Sequence, residues 1–93
     1  MESYCLRAAE IHEDWQEYVR DIAATNRKLG IDCHAVIREL HRCMKQDVRS
    51  ADEAMHILAQ ADPRTWGQAE TTLESAWESL DMQFLLWAAY AMR

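Results

Sequence analysis

Glycine and proline are nearly missing, with two Gly and one Pro in 93 residues. A sheet with several hairpins needs turn residues every few positions, so the shortage points to a few long helices. Cysteine is sparse as well: Cys5, Cys33 and Cys43 are an odd number with no C-x-x-C pair. That spacing suggests neither a disulfide framework nor a zinc ribbon, and it fits a reducing, cytoplasmic setting. No apolar run approaches the ~20 residues that span a bilayer. The opening MESYCLRAAE lacks the charged-then-apolar layout of a secretory signal. Positive charge is also short, with 10 Lys and Arg against 16 Asp and Glu for a net charge of −6. Neutralising phosphates needs the opposite balance, so no direct nucleic-acid binding is expected.

What is present is core material. Hydrophobic residues make up 49% of the chain, including four Trp and five Met, enough for a single domain over residues 1–93 without disulfide or metal. The first segment, Ser3 to Leu29, repeats apolar or small residues at Tyr4, Ala8, Ile11, Trp15, Tyr18, Ile22, Thr25 and Leu29. This 4-3-4-3 spacing predicts one stripe along a helix, with Gly30 as its stop. A second segment begins after Asp32 as N-cap, with Ile31 and Val36 as a hydrophobic staple. Its predicted buried face is Cys33, Val36, Ile37, Leu40, Cys43 and Met44, fading near Val48. Ser50-Ala51-Asp52-Glu53 matches a capping box and predicts a short third helix burying Ala54, Met55, Leu58 and Ala61. The fourth helix is predicted from Asp62-Pro63, cap and first turn, to about Met92. The expectation is an all-α, compact bundle of four helices, two long (first and fourth) and two short (second and third).

The last segment changes character halfway. Trp66, Ala69, Leu73, Trp77 and Leu80 make one apolar side, continued by Phe84, Trp87 and Ala91. Behind it a second stripe begins, Met82, Leu85, Leu86 and Ala89, with Tyr90 at its edge. A helix that is apolar all round must be covered all round. Either the other helices wrap it as ordinary core, or the stripe is a face for self-association or partner docking, a use to which Met and aromatic side chains are suited. The flanking Glu74, Glu78 and Asp81 disfavour a membrane surface.

Charge is also patterned. Glu10, Asp14, Glu17 and Asp21 form an acidic row on the first helix, with Glu13 nearby, and Glu70, Glu74, Glu78 and Asp81 form one on the last. Like charges at i,i+4 are mildly unfavourable on a helix. These rows are either a solvated face or an imitation of a phosphate backbone that would occupy a basic nucleic-acid channel on a target protein. His34, Arg38, His41 and Lys45, with Arg42 and Arg49 close by, give the second segment a basic outer side.

Catalytic chemistry is not evident. Glu53-x-x-His56 has the spacing by which di-iron bundles supply two ligands; the chain holds one such pair, so a metal site would need a symmetry mate, and a metal-binding helical dimer is a third reading. Cys33-His34 and His41-x-Cys43 place thiols and imidazoles on opposite helix sides, against a zinc site. No glycine-rich phosphate loop or nucleophile–base motif is present. The expectation is a non-enzyme without cofactor or metal: an inhibitor, adaptor or small regulatory protein of the phage or mobile-element type. It would hold another protein, or a second copy, through Met82, Leu85, Leu86, Trp87, Ala89 and Tyr90.

Overall fold

The computed structural model describes residues 2–60 and 62–92, with side chains described from residue 4 onward. The chain is all-helical, as expected, but it forms three helices and not four. These are α1 (Glu2–Leu29), α2 (Ala35–Ala59) and α3 (Pro63–Ala91). The predicted second and third helices are one continuous α2. Ser50 and Glu53 sit inside it, so their capping-box pattern caps nothing. The physical reason is a seven-residue repeat: Ile37, Met44, Ala51 and Leu58 are all buried on one face, and a break at Ser50 would unseat the last two. Ala61, expected to be buried, lies outside the described residues.

Local signals at the other ends behave as expected. Gly30 takes φ 71, and the Gly30 and Ile31 amides donate to the carbonyls of Arg27 and Asn26, closing α1 in a Schellman arrangement. Asp62 caps α3 by accepting from the Arg64 amide at 3.0 Å, ahead of Pro63 in the first turn. The predicted Asp32 cap is corrected. The residue before α2 is His34, with no side-chain cap bond, and Cys33 is exposed in the connection rather than buried on the helix.

The helices alternate in direction within an envelope of 46 × 18 × 16 Å. α2 and α3 pack most intimately. Their interface is rich in alanine at one end, where Ala51, Ala54, Ala69 and Ala76 surround Leu58 and Leu73. Small side chains there let the two backbones approach closely. Larger groups fill the other end, Val19, Ile22, Met44 and Leu80, flanked by Trp15, Phe84 and Trp87. Trp77 touches both clusters.

α1 and α3 run in the same direction and meet chiefly through rings. Tyr4 lies 6.2 Å from Trp66, Trp15 lies 6.4 Å from Phe84, and Tyr18 lies 6.3 Å from Phe84. At the far end of this seam the Trp87 indole N–H donates to Asn26 Oδ1 at 2.7 Å. The buried stripe of α1 is therefore rotated from the predicted one. Ala8, His12, Val19, Ile22 and Asn26 are buried with Trp15 half-buried between them, whereas Tyr18 and Leu29 are exposed.

Candidate interaction surface

The core side of α3 is well seated. Ala69, Leu73, Ala76 and Leu80 are buried, and Trp66, Trp77, Phe84, Trp87 and Ala91 are half-buried. Both neighbouring helices, α1 and α2, pack on that side. Successive residues step about 100° round a helix of 3.6 residues per turn, so Met82, Leu85, Leu86 and Ala89 fall opposite the Leu73–Leu80 side. They stay in water. Met82 is 63% exposed, Leu85 69% and Leu86 52%, and Ala89 is exposed beside them. Polar residues bound the stripe toward α2, where Gln83 donates to Ser79 at 3.1 Å and Ser79 donates to Asp47 of α2 at 2.7 Å. A shallow notch of about 430 Å³ opens along this edge, with Met82 and Leu86 beside Glu78 and Ser79.

Two residues grouped with the stripe from sequence have other engagements. Trp87 faces inward, through its bond to Asn26 and its ring contact with Phe84 at 5.9 Å. Tyr90 sits at the edge, 38% exposed, with its ring 6.1 Å from His34. Met92, omitted from the sequence reading, is exposed one turn beyond. It extends the stripe at the spacing 82, 85, 89, 92, and that spacing was the signal available for finding it.

The acidic row of α3 borders the same face. Glu74, Glu78 and Asp81 are exposed, while Glu70 is half-buried and accepts from the Trp66 indole at 3.2 Å. Near the start of α1, burial raises the pKa of the Tyr4 phenol, and the Glu74 and Glu70 carboxylates beside it raise it further. The structure thus brings the first turns of α1 to the α3 acidic row. Glu10, Glu13, Asp14, Glu17 and Asp21 are all exposed on α1. Between Arg64 and Arg93 the chain contains no Lys or Arg, so the described residues that flank the apolar stripe on α3 are neutral or negative.

The residues weighed for metal binding are dispersed. Glu53 and His56 are exposed on α2, and His56 Nε2 lies 3.5 Å from Asp52. The other oxygen of Asp52 is 3.4 Å from Nε2 of the buried His12, without hydrogen-bond alignment. Cys43 lies near Glu39 and Arg42, and Cys33 is on the connection before α2. Among the described residues no group of three or more His, Cys, Asp or Glu is gathered so as to hold a metal ion, and no helix is long and apolar enough to cross a membrane.

Compared with protein-family models, with curated proteins and with solved structures, the chain matches none of them.

Proposed function

We propose that this chain is a non-catalytic protein-binding module, an inhibitor, adaptor or small regulatory protein that docks through the outer face of the C-terminal half of α3. The observation that carries the reading is the stripe Met82, Leu85 and Leu86, each more than half exposed, with Ala89 and Met92 continuing it. Long apolar side chains held in water on a rigid helix favour burial against another surface. Methionine adapts its shape to such a contact, and a helix face laid into a groove is a recurring recognition mode.

The occupant is a different protein bearing an apolar groove bordered by Lys or Arg. Charge weighs against two copies meeting stripe to stripe. Glu74, Glu78 and Asp81 border the stripe, and two copies would each bring a net charge of −6 to the contact. The three free thiols suit the reducing, cytoplasmic compartment in which we place the protein.

Capture on the immobilised full chain tests the reading. Wild type and Leu6→Glu, a change at an exposed position near the start of α1, should retain the same partner. Leu86→Glu should lose it, since a buried anchor contributes about 2 kcal/mol or more. Changing Glu78 and Asp81 together to Lys should slow association. Unchanged retention by a folded Leu86→Glu chain would overturn the proposal.

A further inference from the structure

A second surface lies on different helices. The outer groove between α1 and α2 contains a cleft of about 610 Å³. Its floor is apolar, formed by the buried Val19 with the half-buried Ala23 and Val48. Its rim is cationic: Arg20 rises from α1, and Lys45 and Arg49 rise from α2, all three exposed. The i,i+4 spacing of Lys45 and Arg49 stacks them on one helix face, and the antiparallel α1 sets Arg20 across from them.

None of these cations lies within ion-pair distance of a described carboxylate. The ion pairs among the described residues use His12, Arg42, His56 and Arg64, and none uses Arg20, Lys45 or Arg49. This is notable in a chain with 16 carboxylates and 10 Lys and Arg. Stacked like charges are mildly unfavourable on a helix. His41, half-buried in the cleft wall, feels the same field. Burial first, then Lys45 and Arg27, hold its pKa below the ordinary value, against a hydrogen bond with the Val19 backbone.

We propose that the α1/α2 cleft is a binding site for a small polyphosphate anion, gripped between Arg20 on one wall and Lys45 and Arg49 on the other. Guanidinium groups match phosphate oxygens two at a time, and a lysine adds a compact point charge. No Trp, Tyr or Phe is among the described residues that line the cleft, and its imidazole, His41, is half-buried in the wall, so recognition rests chiefly on the phosphate chain. The volume lies within the range of small-molecule sites. The net charge of −6 opposes a long polyanion, which would run beyond the cleft onto acidic surface. This site is independent of the α3 face proposed above.

Calorimetric titration of the full chain with inorganic pyrophosphate tests the site, with ADP as a parallel arm. Pyrophosphate should bind saturably, one per chain. Lys45→Gln and Arg49→Gln should each weaken it by about tenfold, while their circular dichroism stays that of the wild type. Arg64→Gln should leave it unchanged, because that cation sits on α3 and pairs with Asp62. Tighter binding of ADP would assign the site to nucleotides, and tighter binding of pyrophosphate to inorganic chains; both support a phosphate site. Binding of ADP alone, no saturation with either ligand, or an equal loss in Arg64→Gln would overturn it.

Discussion

The pairing of Asn26 with Trp87 shows how a polar residue can belong to a core. Asn26 is buried, its backbone carbonyl accepts from Ile31 at the α1 terminus, and its side chain accepts from the Trp87 indole. Truncating it to Ala leaves an indole N–H without its acceptor. That should cost about 1–3 kcal/mol in urea denaturation. In a Trp87→Phe background, where the donor is already gone, Asn26→Ala should cost clearly less. Equal losses in the two backgrounds would mean that the bond contributes nothing. The same pair explains why the α1 stripe reads one position off in the sequence. A pattern search takes apolar residues as the inner face, so Tyr18 displaces Val19, and the buried His12 and Asn26 are passed over. What decides burial there is how α1 seats against α2, which the α1 sequence does not contain.

Two local signals competed over α2, and the longer one prevailed. Ser50-x-x-Glu53 satisfies the capping-box pattern, whereas Ile37, Met44, Ala51 and Leu58 require an unbroken helix. A cap can supply about 1 kcal/mol, less than seating Ala51, Ala54 and Leu58 in the core. The chain also has no Gly or Pro between Gly30 and Pro63, so nothing breaks the helix there. Ser50→Ala follows directly as a test. Inside a helix it should be neutral or stabilise the fold by a few tenths of a kcal/mol, whereas loss of a true N-cap would lower stability by about 1 kcal/mol. Thermal unfolding resolves the difference. Where signals agree, the elements are legible from sequence: the Gly30 stop, the Asp62-Pro63 start and the inward face of α3 all follow their local chemistry. The exposure of Met82, Leu85 and Leu86 is not legible in the same way. Periodicity shows two apolar sides on α3, but how much of the helix is covered depends on how many helices there are to cover it.

At the scale of the whole molecule, that count is decisive. Three helices seat one side of α3 and leave the other in water, and the charges distribute around this result. Carboxylates border the apolar stripe of α3, while Arg20, Lys45 and Arg49 gather over the α1/α2 groove. Within the acidic rows Glu70 is engaged by Trp66, and a cationic cleft interrupts the negative surface. We propose that the outer face of α3 is kept for a different protein, covered neither by this chain nor by a copy of it. Mass in solution, measured by light scattering at two protein concentrations well apart, tests that claim directly. A monomer at both concentrations, for wild type and Leu86→Glu alike, is the result the account predicts. A wild-type dimer that Leu86→Glu returns to monomer would contradict it and give the stripe to self-association.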